Sequence, residues 1–351
     1  MTSVGMRAKV AAMNSDRADT GGREVGRIRD IERLADGVRA GERGRLARAV
    51  TLVESSRSAD RKAAQALIER LLPDTGDSVR IGLSGVPGAG KSTLIDALGC
   101  YLVESGRKVA VLAVDPSSGR SGGSILGDKT RMGRLAAQEN AFIRPSPSGG
   151  RLGGVARATR ESLLLCEAAG FDVVMIETIG AGQAEYAVAD MVDVFVLLLL
   201  AGGGDQLQGI KKGALEIADI LAVNKADVDR AAVRHALRDY KAALRIVTDS
   251  ESSWRPPVLT LSAARGEGLE ALWQAVLDHR TCMQQAGLFE ERRRHQRLKW
   301  MWSTLEDRLL EDFRAANGMK EVIARISKAV EAGEMGASAG AEALLDAYRK
   351  T

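Results

Sequence analysis

The sequence predicts an α/β fold, in which a doubly wound, mostly parallel sheet is covered by helices on both faces. Short apolar runs alternate with helical stretches, the runs are apolar at nearly every position, and a glycine-rich loop follows the first run. The runs lie at residues 79–84, 109–114, 171–176, 192–200, 220–223 and 258–261. We therefore expect one α/β domain over residues 78–280.

Helical segments are predicted on both sides of this domain. Residues 31–77 begin with strong helix formers, in which Leu46, Val50 and Val53 follow helical spacing, and end in a Pro-Asp-Thr-Gly turn. Residues 281–351 are expected to form a C-terminal helical arm, with an amphipathic helix over 290–313. Residues 1–30 have no periodicity and are expected to be a disordered leader, and their acidic residues argue against the alternative of a transit peptide.

The composition argues against several classes of function. The 351 residues carry a formal charge of only +4, and the basic residues are spread along the chain, so nucleic acid is not an expected partner. No apolar run approaches 18 residues, so no membrane span is expected. The three cysteines and three histidines do not fall at metal-ligand spacings. We expect a cytoplasmic protein.

The loop at residues 85–92 reads GVPGAGKS and fits the phosphate-binding pattern G-x-x-x-x-G-K-[ST]. A strand precedes it and a helical run follows, which is the context that the pattern requires. The residues predicted to bind nucleotide here are Gly85, Pro87, Gly88, Ala89, Gly90, Lys91, Ser92 and Thr93. Lys91 is expected to neutralise the β and γ phosphates, and Ser92 to bind Mg²⁺. The α/β domain is thus predicted to be a P-loop NTPase.

The base is predicted to be guanine. Asn224, Lys225 and Asp227 form an N-K-x-D sequence at the end of a later strand, where a carboxylate can accept from both N1–H and the exocyclic amine of guanine. Adenine offers no such pair of donors, and a buried carboxylate left unpaired discriminates strongly against it. Ser262 and Ala263, after the last predicted strand, resemble the loop that contacts the guanine carbonyl oxygen.

Three acidic residues follow the phosphate loop at positions suited to a metal site. Asp115 ends the second predicted strand, Asp128 lies in a glycine- and serine-rich stretch, and Glu177 ends the next strand. Any one of them alone is typical of a helix cap. Together at one sheet edge, with Ser92, they indicate a Mg²⁺ site.

Two residues are candidates for controlling hydrolysis. Gln183 is nearest by motif to the place of the attacking water, although it is equally compatible with a loop residue that reports the γ phosphate. Lys211 ends a stretch that begins with three glycines, so partner binding would be able to swing its charge inward; a flexible loop before a solvated helix start is the alternative. A second glycine-rich stretch, residues 144–154, shows no strand or helix period and is interpreted as a mobile loop.

Several long stretches resemble the MeaB/ArgK family of GTPases, chaperones of adenosylcobalamin-dependent methylmalonyl-CoA mutase. They include GVPGAGKST, AVDPSSGRSGGSILGDKTRM, ETIGAGQAE, GGGDQLQGIKKG and AVNKAD. The resemblance implies that Lys91 and Ser92 bind phosphate and Mg²⁺, with Asp115, Asp128 and Glu177 as the acidic metal shell. It also implies a homodimer formed through the C-terminal arm, with the mutase and the adenosyltransferase as candidate partners. Separately, because no residue that positions the water can be assigned, we expect the isolated protein to be a slow GTPase that a partner stimulates.

Two other functions remain open on the residues alone. A metallochaperone GTPase, such as a nickel-insertion factor, would share the sheet and the nucleotide site, but would need cysteine- or histidine-rich ligands near the nucleotide. A protein kinase of a transport system would use the same loop, but would need a docked acceptor group.

Overall fold

The computed structural model describes residues 30–55, 57–114, 132–145, 152–178, 183–201, 212–247 and 252–351. The chain divides into two compact units, the first ending at Arg293 and the second comprising Arg294–Thr351. Of the helices within these ranges, none has both the length and the apolar composition needed to span a bilayer.

The first unit is built on a parallel sheet, which in the described ranges has seven strands. They are β1 Val79–Gly85, β2 Val109–Val114, β3 Ala141–Arg144, β4 Val173–Thr178, β5 Val194–Leu200, β6 Ile220–Asn224 and β7 Val258–Thr260. Their order is β3-β2-β4-β1-β5-β6-β7, and every neighbouring pair is parallel. The chain winds outward from β1 in both directions, so a ligand crevice is expected at the carboxyl end of β1.

Helices cover both faces of this sheet, which confirms the predicted doubly wound α/β fold. Successive residues of β4 belong to different cores, with Val174 and Ile176 in one and Val173 and Met175 in the other. Because both faces of the strand are buried, the run is apolar at nearly every position rather than at alternate ones.

The helices have the following bounds. Residues 30–39 are helical, followed by Arg43–Glu54, Ser58–Leu71, Lys91–Glu104, Gly133–Ala136, Leu152–Ala168, Gln183–Ala189, Lys212–Glu216, Arg230–Val247, Leu269–Gln285, Leu288–Ala315, Met319–Glu331 and Ala337–Tyr348. The second of these helices, Arg43–Glu54, buries Leu46, Ala49, Val50 and Val53 and packs against Leu152–Ala168. The helical spacing in this segment therefore marks its buried face.

The structure corrects the interpretation of residues 144–154 as one loop. Arg144 is the last residue of β3, an edge strand of four residues that the sequence pattern does not predict, and a helix begins at Leu152. Arg144 forms an ion pair with Glu54 and a hydrogen bond with Thr51, so it binds within its own chain. A strand this short shows too little periodicity to be recognised.

At the amino edge of the sheet, buried charges are paired. The Arg293 guanidinium donates two hydrogen bonds to the Asp193 carboxylate, both of 2.8 Å, and a third of 2.9 Å to the Ser78 carbonyl oxygen. Arg80 donates two bonds of 2.8 Å to Glu167. This network fixes the start of β1 to the segment before β5 and to the helix Leu288–Ala315.

The second unit consists of the rest of that helix and the two that follow it. Phe313 and Tyr348 pack edge to face, with ring centroids 5.3 Å apart. A Cβ atom at Gly340 would lie 2.8 Å from the Val330 side chain, so glycine permits the last two helices to approach closely. The helix Leu288–Ala315 exposes a set of large apolar side chains, namely Leu298, Met301, Trp302, Leu305, Leu309 and Leu310.

Candidate functional site

The phosphate-loop pattern lies at the carboxyl end of the central strand. Gly85 ends β1, Gly90 precedes the helix Lys91–Glu104, and the loop between them carries Pro87, Gly88 and Ala89. Gly90 has φ of 90°, and a Cβ atom there would lie 2.6 Å from Asn224 Nδ2. At Gly85 a Cβ atom would lie 2.3 Å from the Leu198 carbonyl oxygen. Both glycines are thus required by close packing as well as by loop conformation.

Lys91 is turned back onto this loop. Its ammonium group donates a hydrogen bond of 2.7 Å to the Gly85 carbonyl oxygen and a longer one of 3.4 Å to that of Val86. Burial lowers the pKa of Lys91, while the charges of Glu177 and Glu185 oppose that effect. Thr93 lies in the same first helical turn, so three consecutive predicted residues start the helix.

Two of the four predicted metal ligands are in direct contact. The Ser92 hydroxyl donates a hydrogen bond of 3.0 Å to Glu177 Oε1, and Glu177 is opposite Leu83 in the pairing of β4 with β1. A hydroxyl and a carboxylate are hard oxygen donors, which suits Mg²⁺. Asp115 and Asp128 lie outside the described residues. Within the described part of the chain, no three His, Cys, Asp or Glu side chains cluster as metal ligands would.

Asn224 connects the two predicted nucleotide loops. This side chain is 2% exposed, donates a hydrogen bond of 2.7 Å to the Ala89 carbonyl oxygen and accepts one of 3.0 Å from the Ala263 amide. The amide group therefore uses one donor and its acceptor to join segments that are distant in sequence. The phosphate loop and the turn after β7 are held at a fixed separation.

A tight turn after β6 places Asp227. Lys225 has φ of 59°, the one positive value of a non-glycine residue in the described ranges, and its carbonyl oxygen accepts from the Val228 amide at 3.1 Å. Backbone strain of this kind is often found at ligand sites. The turn is further held by a 3.1 Å bond from the Ala226 amide to the Leu261 carbonyl oxygen.

The Asp227 carboxylate is kept charged by its neighbours. The Ser262 hydroxyl beside it and, more weakly, the Arg265 guanidinium hold the pKa of Asp227 below its ordinary value. Arg265 Nε lies 3.3 Å from Asp227 Oδ2. The Ser262 hydroxyl is buried beside this carboxylate. Sequence reasoning missed Arg265, whose only signal was its place in the Ser-Ala-Ala-Arg stretch.

A buried polar group below the phosphate loop was also missed. Ser84 and Thr178 are fully buried at the ends of β1 and β4, and Glu185 is 7% exposed. Ser84 donates to Glu185 at 2.7 Å and accepts from Thr178 at 2.9 Å. Two hydroxyl residues in otherwise apolar runs were the available signal.

The side chains of the two candidates for controlling hydrolysis, Gln183 and Lys211, lie outside the described part of the structure. Gln183 starts the helix Gln183–Ala189, next to the Ser84–Glu185 contact in sequence, and its side chain is outside the described part. Lys211 precedes the helix Lys212–Glu216 and lies outside the described residues. Their roles remain predictions.

Comparison with known proteins gives concordant matches. A family model described as "Methylmalonyl Co-A mutase-associated GTPase MeaB" matches residues 46–318. A putative GTPase of Caulobacter vibrioides is 57% identical over 319 residues, which cover 91% of this chain and 98% of that protein. The mitochondrial methylmalonic aciduria type A homolog of Mus musculus is 43% identical over 332 residues, covering 92% and 80%. The crystal structure of a LAO/AO transport system kinase matches with a TM-score of 0.72 and 36% identity, covering 92% and 98%.

Proposed function

The chain belongs to the MeaB family of methylmalonyl-CoA mutase-associated GTPases, and from this premise we propose that it uses GTP hydrolysis to gate cobalamin loading and protection of a mutase. The mutase is methylmalonyl-CoA mutase or a related B12-dependent acyl-CoA mutase. The site assignment is supported chiefly by the hydrogen bonds of the Asn224 side chain, which join the phosphate loop to the turn after β7. In this proposal the two loops together bind one nucleotide.

In this proposal the phosphates bind at the start of the helix Lys91–Glu104. Backbone N–H groups of the glycine loop and the positive end of the helix favour an anion there. Lys91 leaves the neutral carbonyl oxygens of Gly85 and Val86 to meet the β and γ phosphates, whose negative charge makes them stronger acceptors for an ammonium group. Burial of this ammonium strengthens its attraction for the developing negative charge.

Mg²⁺ would be held by Ser92 and Glu177, with Asp115 and Asp128 completing the acidic shell. The ion supplies neutralisation of phosphate charge when it is bound. The Ser92–Glu177 contact of 3.0 Å already brings two oxygen donors together, so these side chains need little rearrangement. Glu177 is 9% exposed, which suits a ligand protected from bulk water.

Guanine would be read by Asp227, whose carboxylate accepts from the N1–H and the exocyclic amine. Lys225 would lie along the base, and the turn at Ser262 and Ala263 would meet the carbonyl oxygen. The lowered pKa of Asp227 favours the charged form that acts as a double acceptor. Gln183 and Lys211 are proposed as the groups that respond to the γ phosphate and to the partner.

The partner surface is proposed to involve the C-terminal helices. Six exposed apolar side chains on Leu288–Ala315 favour a homodimer formed through this arm, because an apolar patch of this kind is typically covered in an assembly. Light scattering of the intact chain tests it: a monomer at micromolar concentration would remove the dimer from the proposal. The adenosyltransferase is the second candidate partner.

The decisive test is the GTPase rate of the purified chain with and without purified methylmalonyl-CoA mutase. We expect stimulation of hydrolysis and formation of a complex whose stability differs between GDP and a non-hydrolysable GTP analogue. Labelled GTP separates the alternatives, since transfer of the label to a protein would favour a kinase, as the name of the LAO/AO transport system kinase structure suggests. Unchanged hydrolysis and no complex would reject the mutase proposal.

A further inference from the structure

Three polar side chains form a buried chain of hydrogen bonds directly below the phosphate loop. Thr178 Oγ1 donates to Ser84 Oγ over 2.9 Å, and Ser84 Oγ donates to Glu185 Oε1 over 2.7 Å. Ser84 and Thr178 are both 0% exposed, and Glu185 is 7% exposed. Ser84 is adjacent to Gly85 of the phosphate loop, and Thr178 is adjacent to Glu177.

Polar groups at these positions need an explanation, because Ser84 and Thr178 are fully buried and most neighbouring residues of β1 and β4 are apolar. Burying a carboxylate costs free energy even when it is hydrogen-bonded, and well-packed apolar residues at such positions are often at least as stable. A buried polar set is therefore weak evidence for stability alone. Its position at the carboxyl edge, next to residues of the nucleotide site, suggests a role in positioning.

Glu185 belongs to the first turn of the helix Gln183–Ala189. The same helix contacts β1 at a second point, since a Cβ atom at Gly82 would lie 2.9 Å from the Val188 side chain. Glu185 and Val188 are three residues apart, so they share one face of the helix. The helix is thus fixed to β1 by an apolar contact at Gly82 and by a polar contact at Ser84.

We propose that Glu185 is a positioning residue for GTP hydrolysis, which sets the start of the helix Gln183–Ala189 relative to the phosphate loop through Ser84. The proposal rests on the assignment of the nucleotide site to this edge of the sheet. In this proposal Glu185 contacts neither the phosphates nor the base of the nucleotide. Because Lys91, Ser92 and Asn224 make their own contacts, nucleotide affinity does not depend on Glu185.

The test is steady-state hydrolysis by Glu185→Ala and Glu185→Gln, together with GDP binding measured by calorimetry. Displacement of a catalytic segment by about 1 Å lowers rates by up to roughly 10²-fold, so we expect Glu185→Ala to lower kcat by about 10- to 100-fold. KM and the Kd for GDP should stay within about threefold. Glu185→Gln keeps an oxygen that accepts from Ser84 and should recover most of kcat.

Ser84→Ala provides a second approach should Glu185→Ala fail to fold, because it removes the same hydrogen bond and leaves the carboxylate in place. It should also lower kcat and leave the Kd for GDP unchanged. Glu270→Ala is the matched control, since Glu270 is an exposed glutamate in the first turn of another helix of this unit. It should behave as the wild type does.

Three results would overturn the proposal: an unchanged kcat in Glu185→Ala, an equal loss of kcat and GDP affinity, or a Gln variant as slow as the Ala variant. The last would assign the effect to charge rather than to position. An error in the site assignment itself would give a different result. In that case Lys91→Ala would bind GDP as the wild-type chain does, or the wild-type chain would not bind GDP.

Discussion

The two edges of the sheet both bury carboxylates, but they pair them with different partners. At the amino edge, Asp193 is bound by Arg293 in an ion pair whose side chains are 2% and 5% exposed. Glu167 is bound by Arg80. Asp219 is bound by Arg292; burial raises the pKa of Asp219, but the interactions with Arg292 and the neighbouring His279 outweigh it and lower the pKa.

At the carboxyl edge, the partners are hydroxyl groups. Glu177 accepts from Ser92 and Glu185 accepts from Ser84. Lys91 lies nearby, yet its hydrogen bonds go to backbone carbonyl oxygens and not to these carboxylates. Buried carboxylates at the amino edge are therefore neutralised by arginine within the fold. Those at the carboxyl edge accept hydrogen bonds from hydroxyl groups instead and are available to interact with a ligand, as is common at functional sites.

The largest expected effect is on the amino edge. Arg293→Ala leaves the buried Asp193 carboxylate without its guanidinium, which should lower the free energy of unfolding by about 3–5 kcal/mol. Urea denaturation measures it. Arg297→Ala, an exposed arginine of the same helix, is the control and should stay near wild type. Equal stability of the two variants would show that the Arg293–Asp193 ion pair does not stabilise the fold.

Next is Lys91→Ala, which should affect activity and not folding. Loss of one preorganised charge at the phosphates should lower kcat by roughly 10²- to 10³-fold, measured by phosphate release. The thermal midpoint should change little, because the two hydrogen bonds that the structure records for Lys91 go to neutral backbone carbonyl oxygens. Lys241→Ala, an exposed lysine on Arg230–Val247, is the control. A Lys91→Ala variant that is destabilised yet active would reverse the comparison.

Asp227→Asn should change the base that is preferred. The amide replaces one acceptor by a donor, so affinity for GDP should fall by about 1–3 kcal/mol, roughly 5- to 150-fold, while affinity for XDP rises. Competition binding with the two nucleotides measures this shift. An unaltered preference would show that guanine is read elsewhere.

The smallest effect is expected from Arg265→Ala. Arg265 is exposed, and exposed ion pairs contribute little, so affinity for GDP should change by less than about fivefold. The pH dependence of GDP binding follows from linkage. Because the pKa of Asp227 is lowered, its carboxylate stays charged at a pH below the ordinary pKa of an aspartate. Loss of Arg265 should move the acid limit of GDP binding to a slightly higher pH. A large loss at neutral pH would mean that Arg265 contacts the nucleotide itself.

Much of this protein was predictable from local patterns. The phosphate loop and the N-K-x-D sequence are contiguous stretches whose chemistry depends on a few neighbouring residues, and the strands before them are marked by apolar runs. β3 was missed because an edge strand of four residues carries little pattern. Asp115, Asp128 and Lys211 stay predictions, as do the roles of Gln183, the metal shell and the dimer.

The sequence by itself determined the fold class, the phosphate loop and the candidate base-reading carboxylate, because each depends on residues that are close along the chain. Only the tertiary structure decided which distant groups meet. Asn224 reaches Ala89 across 135 positions, Ser84 reaches Glu185 across 101 and Arg293 reaches Asp193 across 100. Such contacts depend on strand order, register and side-chain direction, which arise when the whole sheet is assembled and are not encoded in any single stretch.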